Sequence, residues 1–142
     1  MYMLDTNVFN YFLENNISIE VIKEKGALYT TNVQFSELSN NSNIEIRDAT
    51  LNIYEALDLT KLMLESGLWL DNLRWDDSQI WHSNVGEGFR DMLGNSRGHY
   101  DAMIGEVVIN HNLTLVTNDG GFRNRAGRNN INVLTVEEFL EL

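Results

Sequence analysis

The sequence predicts a single α/β domain built on a short parallel sheet. The chain has 142 residues, of which 43% are hydrophobic, and this suits one compact domain with its own core. Short apolar runs, of which residues 2–4 and 113–117 are the clearest, alternate with segments whose apolar residues recur at helical spacing. Such alternation is typical of a parallel sheet covered by helices on both faces. No linker, internal repeat or low-complexity tract interrupts it, so we expect one domain over residues 1–142.

Strands are predicted where an apolar run is short and ends in polar or turn-forming residues. Four such runs are present: residues 2–4, 27–30, 113–117 and 131–134. The first run ends abruptly at Asp5-Thr6-Asn7, and the third runs into Asn118-Asp119-Gly120. In open α/β sheets, ligands bind outside the carboxyl ends of the strands, so these two junctions are candidate site positions.

Helices are predicted after Asp5, over residues 18–25 with Gly26 as the stop, and from a cap at Thr31 or Asn32. The longest helical pattern covers residues 44–68 and forms one helix or two.

Nearer the C-terminus, helices are predicted over residues 100–110 and 136–140, the latter with a capping box made by Thr135 and Glu138. Residues 39–43 and 120–130 are predicted as loops. Residues 69–98, which contain three Trp, are predicted as one or two short helices linked by turns.

Composition excludes several classes of protein. No apolar run is long enough to span a bilayer, and Met1 leads directly into the first strand, so we expect a cytoplasmic protein without a signal peptide or membrane partner. Because there is no Cys, disulfides and thiolate metal sites are excluded. The net charge of −11 is unusual for a nucleic-acid binder, which normally carries a basic face. An acidic chain can still act on a phosphodiester if bound cations invert the local field, and it also suits a basic protein partner.

Four acids are distinguished by their positions. Asp5 and Asp119 come just after predicted strands, whereas Glu37 and Asp101 lie in the first turns of predicted helices. A parallel sheet brings such positions to one edge, where several ionised carboxylates need compensating cations. Mg²⁺ and Mn²⁺ are the natural candidates because they are hard ions that favour oxygen ligands.

The order of these segments resembles the PIN-domain family, most closely the VapC-type toxins of prokaryotic toxin–antitoxin pairs. Five stretches carry the resemblance and together span nearly the whole chain: Leu4-Asp5-Thr6-Asn7-Val8, Phe35-Ser36-Glu37-Leu38, Asp101-Ala102-Met103-Ile104-Gly105, the run 113–119 with Phe122 after it, and residues 133–140. The resemblance implies a three-layer α/β/α PIN-like fold with a central parallel sheet of four to five strands.

The resemblance also implies a metal-dependent endoribonuclease that binds one or two Mg²⁺ or Mn²⁺ ions. The family's acidic quartet falls on residues that would be both catalytic and metal-binding: Asp5, Glu37, Asp101 and Asp119. Polar neighbours would orient the carboxylates and the attacking water: Thr6 or Asn7, and Thr117 or Asn118. Many relatives have a further Asp where this chain has Gly121, which leaves the number of metals open. An RNA substrate, a cognate antitoxin and a homodimer are the implied partners.

Structural explanations compete with these functional ones. Asp5 could be only a helix N-cap, Asp119 only a turn residue, and Asp101 only a partner of the helix dipole. The basic cluster Arg123, Arg125 and Arg128 either contacts the RNA backbone or is a solvated loop. The Trp residues of 69–98 more often fill a core or an interface than stack on bases.

Two other functions are compatible with parts of the sequence. A PIN-like binding module with a degenerate metal site is favoured by Gly121 and by the low positive charge. A phosphatase of the haloacid dehalogenase type also begins with a strand that ends in Asp, but it needs a second Asp where this chain has Asn7. It also needs a positioned Lys, and none follows Lys61.

Overall fold

The structure is a computed structural model that describes residues 1–63 and 98–142. The predicted short helices of the Trp-containing segment lie, except for Gly98, outside these residues. The strands are β1 Tyr2–Leu4, β2 Leu28–Thr30, β3 Thr60–Lys61, β4 Thr114–Val116 and β5 Val133–Leu134. The helices are α1 Thr6–Glu14, α2 Ile19–Lys23, α3 Asn32–Ser39, α4 Ile44–Ala56, α5 Gly98–Asn110, α6 Gly120–Arg128 and α7 Val136–Glu141.

The five strands form one sheet in the order β3-β2-β1-β4-β5, and every neighbouring pair is parallel. The chain builds outward from β1 to β2 and β3 on one side, and β4 and β5 then extend the sheet on the other side. The strand order therefore reverses between β1 and β4. In open α/β sheets the crevice at such a reversal is the usual place for a ligand.

Helices cover both faces of the sheet, as predicted. Met3 and Leu115 point into a core shared with α5 and α6, whereas their neighbours Leu4 and Val116 point into a core shared with α1, α4 and α7. Because successive strand residues face opposite sides, continuous apolar runs are what a doubly covered parallel sheet requires. The three-layer arrangement expected from the sequence is thus confirmed.

The prediction of a loop over residues 120–130 was wrong. Residues Gly120–Arg128 form helix α6, although three Gly and two Asn lie within 120–129 and such residues disfavour helices. Tertiary packing stabilises this helix, because Phe122 and Ala126, four residues apart, are completely buried in the core.

The prediction of helix over residues 44–68 was also wrong over residues 57–63. Helix α4 ends at Ala56, Asp58 adopts a left-handed conformation with φ of 54°, and residues 60–61 form the edge strand β3. Two exposed residues give no alternating pattern from which a strand could be predicted. The end of this segment, 64–68, lies outside the described residues. None of the described helices is long and apolar enough to cross a membrane.

Candidate active site

Asp5 lies at the carboxyl end of the central strand β1, with its side chain only 5% exposed. Its Oδ1 accepts a hydrogen bond from the backbone N–H of Thr6 (2.8 Å), which makes Asp5 the N-cap of α1. Its Oδ2 accepts hydrogen bonds from the side chains of Asn7 (2.9 Å) and Thr117 (2.7 Å). Asp5 therefore does cap helix α1, as the structural explanation of this residue held. Capping uses only one of its two carboxylate oxygens.

Thr117 connects the two strand ends. Its hydroxyl donates to Asp5 and accepts hydrogen bonds from the amide of Asn7 and from the backbone N–H of Asp119, both at 3.1 Å. Thr117 is completely buried, so no water can replace these bonds. The polar residues that follow β1 and β4 thus form one hydrogen-bonded unit across the sheet.

Glu37 reaches the same region from helix α3. This helix begins at Thr31 with a capping box, and Gln34 in its first turn donates a hydrogen bond to the backbone carbonyl of Leu4 (3.1 Å). That bond ties the helix to the end of β1. One turn further on, the Glu37 carboxylate accepts a hydrogen bond from the hydroxyl of Thr6.

Asp101 and Asp119 are positioned by helices α5 and α6. Asp101 is in the first turn of α5, and its carboxylate forms an ion pair with Arg125 of α6. Asp119 is the N-cap of α6 and accepts a hydrogen bond from the backbone N–H of Phe122 (2.8 Å). Like Asp5, Asp119 therefore caps a helix and also belongs to the candidate site.

All four predicted acids line a single open cavity of about 420 Å³ at the carboxyl edge of the sheet. The described residues that line it are Asp5, Thr6, Asn7, Asn10, Glu37, Tyr100, Asp101 and Asp119. Sequence reasoning missed Asn10 and Tyr100. The available signals were local, because Asn10 lies one helical turn after Asn7 and Tyr100 directly precedes Asp101.

Asn118 and the three predicted arginines do not line the cavity. The side chain of Asn118 accepts a hydrogen bond from the backbone N–H of Val136 (3.0 Å), so it holds the start of α7 rather than a carboxylate. Its own backbone N–H donates to Asn7 Oδ1 (3.2 Å). Arg123 and Arg128 are exposed on α6, whereas Arg125 of the predicted basic cluster is half-buried and forms an ion pair with Asp101, which lines the cavity.

Burial and mutual repulsion make the cavity costly for negative charge. Burial is the main cause that raises the pKa of Asp5 to about 7, with further contributions from the nearby carboxylates of Asp101 and Glu37. Burial also raises the pKa of Glu37 and of Asp101, although the adjacent Arg125 opposes the rise at Asp101. A bound cation would relieve this repulsion.

The donor chemistry of the cavity fits Mg²⁺ or Mn²⁺, because its charged lining consists of carboxylates, the hard oxygen ligands that these ions prefer. In the part of the chain that the structure describes, no three acidic or imidazole side chains already converge on one point.

Replacing Thr117 with Val is expected to lower the free energy of unfolding by about 1–3 kcal/mol, because a buried carboxylate and amide each lose a hydrogen-bond partner. Urea denaturation measures this loss. The Thr117→Ser variant retains the hydroxyl and should remain close to wild type. Equal stability of the Val and wild-type proteins would contradict the connecting role of this hydroxyl.

Comparison with known proteins places these features in a family. The model of the PIN domain matches residues 2–128. No curated protein matches the sequence. The fold is similar to that of a chain in the crystal structure of VapBC2 from Rickettsia felis bound to a DNA fragment from their promoter. The TM-score is 0.55 at 18% sequence identity, and the match covers 94% of this chain and 97% of that chain. FitAcB from Neisseria gonorrhoeae gives a TM-score of 0.46 at 14% identity, with 96% and 99% covered. Because the family model covers most of the chain, this protein belongs to the PIN-domain family.

Proposed function

We propose that this PIN-domain protein is a metal-dependent endoribonuclease. Four carboxylates converge on one cavity at the carboxyl edge of the sheet, and this observation carries the proposal. They come from segments up to 114 positions apart in sequence: Asp5, Glu37, Asp101 and Asp119. Three of them have raised pKa values, and such perturbed acids in a cleft are typical of functional sites.

Each part of the cavity has a role in this proposal. The four carboxylates would hold Mg²⁺ or Mn²⁺, and the bound ion would lower the pKa of a water and neutralise charge on the phosphoryl group. The hydrogen bonds from Asn7 and Thr117 fix Asp5 Oδ2. The amide of Asn10 can donate a hydrogen bond to a phosphate oxygen, and stacking on a base is the role proposed for Tyr100, which lines the same cavity.

Cleavage of RNA by the purified chain tests this function. We expect a labelled RNA pool to be cut internally when Mg²⁺ or Mn²⁺ is present and to remain intact with EDTA. A DNA pool of the same sequences serves as the control for substrate class. Cleavage that persists in EDTA would contradict metal dependence, and no cleavage under any metal condition would contradict the enzyme itself.

We also propose that the chain acts as the toxin of a toxin–antitoxin pair in the cytoplasm, held inactive by a cognate antitoxin and paired as a homodimer. The fold similarity to a chain of the VapBC2 complex and the net charge of −11, which suits a basic partner segment, support this. Expression of the chain alone should arrest growth, and coexpression of its antitoxin should restore it. Unimpaired growth would contradict the toxin role.

A second candidate is a PIN-like module with a degenerate metal site. The ion pair between Asp101 and Arg125 favours it, because a ligand position is already occupied by an internal cation. Calorimetric titration with Mn²⁺ distinguishes the two functions. A working site binds Mn²⁺ in a manner that depends on Asp5 and Asp119, whereas a degenerate module does not.

A further inference from the structure

Arg125 lies beside the acidic cavity, half-buried against Asp101, which lines it. Its Nη2 donates to the carboxylate of Asp101, and the two side chains are only 19% and 18% exposed. The Nε of Arg125 is buried and has no hydrogen-bond partner among the described residues. A buried guanidinium with an unsatisfied donor is costly, so the ion pair with Asp101 is the interaction that holds it in place.

Gly121 provides the space for this guanidinium. A Cβ atom at position 121 would lie 3.4 Å from Arg125 Nη1 and 3.3 Å from Asp119 Oδ1, which is closer than most such contacts. Arg125 follows Gly121 by four residues and therefore lies above it on the same face of α6. The space above Gly121 is thus bordered by one carboxylate and one guanidinium.

Charge is divided unevenly across the cavity. On the α5–α6 side, the Asp101 carboxylate is paired with the guanidinium of Arg125. On the β1–α3 side, Asp5 and Glu37 accept hydrogen bonds from neutral donors: the backbone N–H of Thr6 and the side chains of Asn7 and Thr117 for Asp5, and the hydroxyl of Thr6 for Glu37. Among the described residues, the side of the cavity whose carboxylates lack a paired cation is therefore the side that holds Asp5.

We propose that Arg125 takes the charge-compensating place of a second metal ion, so that the cavity binds one divalent cation, on the Asp5 side. Paired catalytic metals lie roughly 3.5–4 Å apart, and a second divalent ion beside Asp101 would meet the guanidinium at close range. The positive charge of the guanidinium would repel such an ion. The inference rests on the proposed metal-dependent function.

The number of Mn²⁺ ions bound per chain, measured by calorimetric titration of the full chain, tests the proposal. Wild type should bind one ion, Arg125→Met should bind two, and Arg125→Lys, which keeps the charge, should bind one. Arg123→Met is the matched control, because it removes the same charge from an exposed position on the same helix and should leave one ion bound.

Two ions in wild type, or one ion in a folded Arg125→Met variant, would overturn the role of Arg125 and leave the proposed nuclease standing. Tighter binding of one ion by Arg125→Met would also overturn this role, because Arg125 would then only compete with the first ion. No binding in wild type would overturn the metal-dependent function as well. Circular dichroism verifies folding.

Discussion

Replacing Asp5 with Asn should lower metal-dependent RNA cleavage by at least about 100-fold, because loss of a residue that merely supports a metal ligand already costs 10- to 100-fold. Asp5 is the most central of the four acids, since it lies at the end of the middle strand and accepts three hydrogen bonds. The substitution retains the shape of the side chain and an oxygen for the Thr6 N–H. Initial rates of cleavage with Mn²⁺ measure the effect.

Asp58→Asn is the matched control for Asp5→Asn. It removes the same charge from an exposed position outside the cavity, and Asn readily adopts the left-handed conformation present there, with φ of 54°. Its cleavage rate should equal that of wild type. Full activity in Asp5→Asn would remove Asp5 from the site, and with it the assignment of the whole acidic quartet.

Without metal, the wild-type protein should lose stability as pH rises from about 4 to about 7. Burial raises the pKa of Asp5 from 3.8 to about 7, so the folded chain holds a proton that the unfolded chain has already released. Stability therefore falls as pH increases through this range, by roughly 4 kcal/mol at 1.36 kcal/mol for each pKa unit. The raised pKa values of Glu37 and Asp101 act in the same direction.

Urea denaturation in EDTA at several pH values measures this loss, and Asp5→Asn should flatten the dependence between pH 4 and 7. The Asp58→Asn protein has the same net charge and should keep the wild-type dependence, which separates the effect of Asp5 from general repulsion in an acidic chain. Added Mn²⁺ should restore stability near neutral pH, because a ligand that binds only the folded state stabilises it. Identical pH profiles for Asp5→Asn and Asp58→Asn would contradict a buried, neutral Asp5.

The fold class and most elements were predictable because their signals are local. Apolar runs marked β1, β2, β4 and β5, and caps such as Thr31 and Thr135 marked helix starts that the structure confirms. Helix α6 and strand β3 were not predictable. The former depends on the burial of Phe122 and Ala126, and the latter on pairing with β2, which are both contacts between distant parts of the chain.

The candidate site, like the fold, could be predicted only in part. The sequence by itself determined which acids follow strands or open helices, and the parallel order of the strands then required these positions to share one edge. Only the tertiary structure decided their partners: Thr117 joins Asp5 to Asn7, Asn118 holds α7, and Arg125 pairs with Asp101. Periodicity and caps arise from neighbours along the chain, whereas these partners, 18 or more positions apart, meet only after the sheet and its helices have packed.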